Sequence, residues 1–229
     1  SMPQLLGIDS QIQGERHGEG KTMMKPVARP IGEGTLLVVS MGSISGSNET
    51  EAILWRGLML NRAVQHFLED VKWGELDYLV IDLPPGTSDA QLTLAQAVPI
   101  SGAVLVTTPQ EVSLSDVGKA LGMFQRMNVP VLGLVENMTA FVCPHCSEQT
   151  EIFGRGGGER FAAKHGLEYL GGIPLDITVR QGGDVGVPAV AQREPGPAAQ
   201  ALTTIAQTVA ARMSVRTATA EARPVLTIS

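Results

Sequence analysis

Continuous apolar runs alternate with helix-period segments along most of the chain. Four runs are apolar at nearly every position, which is typical of strands covered on both faces; they span 35–41, 78–83, 103–108 and 129–137. A fifth, weaker run spans 168–174, and apolar residues recur at helical spacing in 58–71, 115–127 and 198–209. This alternation predicts βαβ units, and hence an α/β fold with a parallel sheet flanked by helices.

Composition and charge narrow the class of protein. The 229 residues are 43% hydrophobic but only 4% aromatic, so we expect a full core built from aliphatic side chains. We interpret residues 1–213 as a single α/β domain and residues 214–229, rich in Ala, Thr and Arg, as a loose tail. The formal net charge of −6, without a basic run, argues against nucleic acid or an anionic membrane as partner. Two closely spaced cysteines do not suggest a disulfide framework, so a cytoplasmic protein is expected.

The residues after the second apolar run offer nucleotide chemistry, because ligands of parallel sheets lie at the carboxyl ends of the strands. There the sequence reads DLPPGTSD, residues 82–89. Asp82 is placed to hold Mg²⁺ through water, and Gly86 lets a backbone N–H approach a γ-phosphate. The alternative is a strand-to-helix turn in which Ser88 or Asp89 caps the helix.

The fourth apolar run ends in Glu136-Asn137, where Asn137 is a second candidate. The amide of Asn137 offers a donor and an acceptor, which together can pair with an adenine edge. A turn residue at the end of a strand is an equally good interpretation of the same asparagine.

The stretch HGEGKT, residues 17–22, resembles the end of a phosphate-binding loop but lacks its spacing. The loop pattern is Gly, four residues, then Gly-Lys-Ser/Thr, and Glu15 stands where the first glycine is required. Pro26 and Pro30 come next, where a helix would have to begin. We therefore interpret the stretch as a solvated loop.

Cys143 and Cys146 form a Cys-x-x-Cys motif, which places two thiolates on one metal. A redox dithiol and an incidental pair are the alternatives; the redox pair is expected at the start of a helix, and this motif lies in a polar loop. Tetrahedral zinc or a four-iron cluster needs four ligands, and the chain has only these two cysteines. His145 can add a third ligand, but the simplest completion is a second copy on a two-fold axis.

Several segments together resemble one family, the Mrp-type iron–sulfur cluster carrier ATPases, also called ApbC- or Nbp-type. The segments span 73–96, 102–138, 141–146, 152–158 and 172–188, within a resemblance that covers about residues 2–211. The family is a branch of the MinD/ParA-like P-loop proteins. The resemblance implies a homodimer that binds ATP with Mg²⁺, holds a [4Fe–4S] cluster between its subunits and passes it to apo iron–sulfur proteins.

The same resemblance implies roles for individual residues. Asp82 is the Walker B carboxylate, Gly86 belongs to the γ-phosphate-sensing switch and Asn137 contacts the adenine. Cys143 and Cys146 are the cluster ligands. Two further residues lie where relatives line the base, namely Pro174 and Asp176.

The chain departs from the family pattern at its start. Members open with a strand, a "KGGVGKS"-type loop, a helix and a strand that ends in Asp-x-Asp. This chain begins SMPQLLGI, which resembles the part of the family sequence that comes after that opening segment. We therefore expect a fold truncated at the N-terminus, without the Walker A lysines, and an ATPase that is inactive alone.

Three functions are compatible with these patterns. The leading one is an iron–sulfur carrier of the Mrp type. The second is a zinc-bridged dimeric binding module without ATPase activity, because zinc accepts the same thiolates. The third is a MinD-like positioning ATPase, a function that requires a basic amphipathic C-terminal helix.

Overall fold

The structure is a computed structural model and describes residues 2–8, 13–17, 21–40, 57–83, 89–143, 145–146 and 148–221. The chain forms two compact units. The first comprises 1–98 and 179–193, and the second comprises 99–178 and 194–229. The interpretation of 1–213 as one domain stays a prediction.

The first unit is built from hairpins and helices. Its described elements are α1 (Met2–Leu5), β1 (Gln13–His17), β2 (Lys21–Lys25), β3 (Val27–Ile31), β4 (Gly34–Val38), α2 (Gly57–Glu69) and α3 (Asp89–Ala97). β1–β2 and β3–β4 are antiparallel hairpins. The guanidinium of Arg29 donates to the carbonyl oxygen of Gly186 at 3.2 Å. A Cβ on Gly7 would lie 2.8 Å from that oxygen, so glycine is required where these segments meet.

The second unit contains the sheet that the apolar runs predict. Its elements are β5 (Ala103–Thr107), α4 (Glu111–Arg126), β6 (Val131–Val142), β7 (Gln149–Thr150), α5 (Gly157–His165), β8 (Tyr169–Leu175), α6 (Ile177–Asp184) and α7 (Pro197–Glu221). β5, β6 and β8 are parallel with β6 in the centre, and β7 runs antiparallel to the far end of β6. α6 starts in this unit and ends in the first, where a 3-10 turn, Ala189–Ala191, comes after it.

The central strand β6 is covered on both faces because successive side chains point to opposite sides. Leu134 and Glu136 face α5, where both lie against the backbone of Gly158. Val135 faces the other way and packs with Leu170 of β8 and Ile205 of α7. The continuous apolar run that predicts β6 thus reflects two covered faces.

Two of the predicted parallel strands are wrong. The described part of run 35–41 forms β4, which pairs only with β3 in a hairpin among the described residues. Run 78–83 forms no strand and is in none of the described sheets, and Val80 is 88% exposed. An apolar run favours burial, but a strand also needs a neighbour for its backbone N–H and C=O groups. Of the described strands, β6 alone pairs with β5.

Three further segments are described in part. The ends of the stretch HGEGKT lie in strands, because His17 and Lys21 pair as the last and first residues of β1 and β2; residues 18–20 lie outside the described part of the chain. α7 continues to Glu221, residues 222–229 lie outside the described part, and the loose tail stays a prediction. β6 continues to Val142, so Cys143 comes directly after a strand. Among the described helices, none combines the length and apolarity needed to cross a membrane.

We expect Gly158→Ala to destabilise the protein by about 1–3 kcal/mol, because it overpacks the contact between α5 and β6. The added methyl would lie 2.8 Å from Glu136 Oε2 and 3.0 Å from Leu134 Cδ2. The matched control is Gly122→Ala inside α4, where no atom lies within 4 Å. That change should stabilise by about 0.5–1 kcal/mol through helix propensity. The free energy of unfolding in urea measures both, and a shift in the same direction for the two variants would contradict this packing.

Candidate functional site

The carboxyl end of β6 carries a buried carboxylate. Glu136 is 2% exposed, and its Oε2 accepts a hydrogen bond from the backbone N–H of Gly158 in the first turn of α5. Helix N-termini present unpaired N–H groups and a partial positive charge, both of which suit a carboxylate. Sequence reasoning gave Glu136 no role. The available signal was a lone acidic residue inside an otherwise apolar run.

Asn137, the predicted adenine contact, comes next on the other face of β6 and is half-buried. Its Oδ1 accepts a hydrogen bond from the N–H of Met138 at 2.9 Å. Asn137 pairs with Ile173 across the sheet, so Pro174 is the next residue on the neighbouring strand. The structure therefore brings together two of the residues predicted to line a base at one edge of the sheet.

Asp176 also lies at this edge, just after β8, and it is half-buried. Its Oδ1 accepts hydrogen bonds from the N–H and the hydroxyl of Thr178, both at 2.8 Å. This is the geometry of a residue that caps the N-terminus of a helix, here α6. A contact of Asp176 with a base stays a prediction.

A second residue that sequence reasoning missed is Tyr169, at the start of β8. Burial, together with the negative charges of Glu136 and Glu159, raises the pKa of the Tyr169 phenol to about 12. A Cβ on Gly172 would lie 3.0 Å from the Tyr169 hydroxyl oxygen, so the ring lies along its own strand. No sequence pattern marked this tyrosine.

Asp82, the predicted Walker B carboxylate, lies in the first unit, in the run 78–83, which forms no strand. It is exposed, and no described strand pairs with its segment. The expectation that it ends a buried strand is therefore wrong. Gly86 lies outside the described residues. Asp82 belongs to the first unit.

The two cysteines lie at the tip of a short hairpin. Phe141 and Val142 of β6 pair with Thr150 and Gln149 of β7, and the N–H of Cys143 donates to the carbonyl oxygen of Glu148 at 2.9 Å. Cys143 is half-buried and Cys146 is exposed. Pro144 and Ser147, between and after them, lie outside the described residues.

The electrostatics of the hairpin favour a thiolate. The backbone N–H groups of His145 and Cys146, followed by the Cys146 side chain, hydrogen-bond to the Cys143 sulfur and hold the pKa of this thiol below its ordinary value. Thiolate is the form that binds metal, so more of it is available at neutral pH. Both cysteines lie at the tip of one hairpin at Cys-x-x-Cys spacing, which lets two sulfurs bind one metal.

The donor set fits half of a four-thiolate site. Two sulfurs at Cys-x-x-Cys spacing can occupy two positions of a tetrahedral metal or of a four-iron cluster. Among the described residues no group of three or more His, Cys, Asp and Glu side chains is arranged to hold a metal ion. The described part of one chain thus offers a pair of sulfurs, both near the surface.

A profile of the NUBPL iron-transfer P-loop NTPase family, a ParA group, matches residues 1–210. The chain belongs to this family. The resemblance inferred from the sequence is thereby confirmed for the family. The predicted MinD/ParA-like P-loop NTPase fold is confirmed as well, as an α/β fold with a mixed sheet flanked by helices.

Several named proteins are similar in sequence to this chain. A protein of Pyrococcus abyssi named "Iron-sulfur cluster carrier protein" is 42% identical over 90% of this chain and 70% of its own length. One of the same name from Deinococcus radiodurans is 49% identical over 82% of this chain and 53% of its own length. A solved nucleotide-binding protein from Archaeoglobus fulgidus, in complex with ADP and with cobalt found in it, is 35% identical. The match covers 84% of this chain and 71% of the Archaeoglobus chain, with a TM-score of 0.65.

The capping role of Asp176 can be tested by paired substitutions. Asp176→Ala removes the acceptor for both groups of Thr178 and should destabilise the protein by about 0.5–2 kcal/mol. Asp176→Asn keeps an oxygen at that position and should remain close to wild type. The free energy of unfolding in urea is the measurement, and an equal loss in both variants would contradict the cap.

Proposed function

We propose that this chain is an iron–sulfur cluster carrier whose cargo is a [4Fe–4S] cluster held between two copies. The observation that carries the proposal is the Cys-x-x-Cys pair at the tip of the β6–β7 hairpin, in a chain of an iron-transfer family. Cys143 and Cys146 of each copy supply two thiolates, and a two-fold axis brings the four together. Exposure of this tip gives apo-proteins access to the cluster, which suits transfer rather than storage.

Zinc is the alternative cargo, because it accepts the same four thiolates in the same tetrahedral arrangement. Ligand type alone does not separate the two. Anaerobic purification with subsequent analysis of iron, sulfide and zinc does separate them. Iron and sulfide in equal amounts support the carrier, and zinc without sulfide supports the zinc-bridged module.

We expect Cys143→Ser and Cys146→Ser each to abolish bound metal and to weaken dimerisation, since each copy supplies only two ligands. Metal per chain and mass by sedimentation measure the two effects. The matched control is His145→Ala, which removes the exposed side chain between the cysteines but keeps both sulfurs. That variant should retain metal. Equal metal content in the wild type and the double serine variant would overturn the site.

Nucleotide-binding roles are part of the proposal in each unit. In the second unit, Asn137 at the carboxyl end of β6 would pair with the base. In the first unit, Asp82 would hold Mg²⁺ through water and Gly86 would approach the γ-phosphate. Pro174 and Asp176 would line the base from β8 and the turn after it. The adjacency of Asn137 and Pro174 supports this arrangement, and so does the ADP bound by the Archaeoglobus protein.

We propose that this chain lacks the loop that binds the phosphates. Its 229 residues contain no Gly-x4-Gly-Lys-Ser/Thr pattern, and HGEGKT lies on a hairpin where it is described. In P-loop proteins the loop backbone and its lysine cradle the phosphates, so its loss removes much of the affinity. Hydrolysis by this chain alone is therefore not expected.

We expect weak binding of Mg-ATP by the 229-residue chain. Fusion of a relative's first βαβ segment upstream of Ser1 should raise the melting temperature, because each new ladder hydrogen bond contributes roughly 0.5–1.5 kcal/mol. It should also confer Mg²⁺-dependent ATP binding that Asp82→Asn weakens. The control is Asp77→Asn, which removes the same charge from the same exposed segment and should leave ATP binding unchanged. Thermal unfolding with and without Mg-ATP is the measurement, and micromolar binding by the unextended chain would contradict us.

A further inference from the structure

β6 contains an unusual bend at Met138. Of the described residues other than glycine, Asn128 and Met138 are the two with positive φ, at 54° and 58°. Asparagine tolerates this left-handed conformation because its short polar side chain bonds locally, whereas methionine has no such compensation. Asn128 lies in the turn after α4, where such a conformation is ordinary. Met138 adopts it inside a strand, where something must hold it.

The bend coincides with extra residues in β6. Asn137 pairs with Ile173 and Phe141 pairs with Leu175, so three residues of β6, 138–140, face the single residue Pro174 of β8. Two residues are therefore in excess on β6 (three minus one). Such a bulge changes the direction of the strand that contains it and often lies beside a functional site.

Two contacts hold the bulge. The N–H of Met138 donates to Oδ1 of Asn137 at 2.9 Å. Thr139 folds against β8, where a Cβ on Gly172 would lie 2.6 Å from Thr139 Cγ2. A glycine at 172 thus makes room for the bulge, and the Asn137 amide accepts the N–H that the bulge turns towards it.

The segment after the bulge carries the metal-binding hairpin. Phe141 comes one residue after the bulge and pairs with β7, and Cys143 comes two residues later. The direction in which β6 leaves the bulge therefore determines where the hairpin with both cysteines lies. A differently bent β6 would move this hairpin.

We propose that Met138 is a positioning residue for the metal site. Its left-handed conformation, held by the side chain of Asn137, aims Cys143 and Cys146 at the metal. The inference rests on the proposed function, in which these cysteines bind metal. It gives Asn137 a second task beside the proposed base contact.

The test is titration of the purified 229-residue chain with Co²⁺, whose thiolate complexes absorb visible light. Met138→Val disfavours the left-handed conformation, and Asn137→Ala removes the contact that holds it. Each should weaken Co²⁺ affinity about tenfold, as loss of supporting contacts around metal ligands does. Met138→Asn tolerates the conformation and should bind nearly as the wild type does.

The matched control is Asn128→Val, which places the same strain in the exposed turn after α4. It should lower the melting temperature as Met138→Val does but leave Co²⁺ affinity unchanged. A purely structural role for Met138 predicts that the two variants behave alike in both measurements. If all the variants bind Co²⁺ as the wild type does, the positioning role is overturned.

A metal-free measurement separates this inference from the proposed function. The amide of Cys143, bonded to the Glu148 carbonyl, should exchange hydrogen faster in Asn137→Ala and Met138→Val than in Asn128→Val. If that pattern holds and no variant binds metal, the proposed function fails while Met138 still positions the hairpin. Unchanged exchange at Cys143 in both bulge variants would overturn the positioning role whatever the metal does.

Discussion

The buried carboxylate of Glu136 fixes the helix α5 to the central strand. A carboxylate taken out of water costs several kcal/mol unless partners replace the lost hydration. Here the partner is the N–H of Gly158, at the positive end of a helix. That position accepts no side chain, because a Cβ would meet the carboxylate and Leu134. The preceding glycine is equally constrained, since a Cβ on Gly157 would clash with the carbonyl oxygen of Pro109. The glycine-rich start of α5 is therefore a packing requirement.

The position of β6 determines where the residues along it and the hairpin after it lie. The strand is covered on both faces as far as Glu136, bends at Met138 and ends at Val142, one residue before the first cysteine. The proposed base contact and the proposed metal ligands thus lie on one continuous piece of backbone. One strand therefore runs from a buried core to a hairpin with an exposed cysteine.

The parts of this fold that the sequence predicts are those with a continuous apolar run or a helical period. β5, β6 and β8 are found by their apolar runs, and α2, α4 and α7 by their helical period. The run 78–83 is as apolar as 103–108, yet only the second pairs with a strand in the structure. Apolarity does not say whether a partner strand is present. α5 was not predicted because three glycines precede its apolar residues.

The residues of the candidate site also divide into those that a local pattern predicts and those that depend on a distant partner. Cys143 and Cys146 are visible from spacing alone, since both ligands lie within four residues. Glu136 depends on a helix N-terminus 22 residues further on, which no local pattern reveals. The bend at Met138 depends on a mismatch in length between two strands, and that is a property of the pair rather than of either sequence.

The outer edge of β5 has a consequence for how copies of this chain meet. No described strand pairs with that edge, and Val104 and Val106 next to it are 37% and 57% exposed. Backbone groups on an open edge accept almost any strand, because recognition there is largely independent of side chains. Self-association through β5 would need no metal and would survive a chelator, whereas a dimer bridged through cysteines would fall apart. Reversal by a chelator is therefore the property that distinguishes the proposed cysteine-bridged dimer from association through β5.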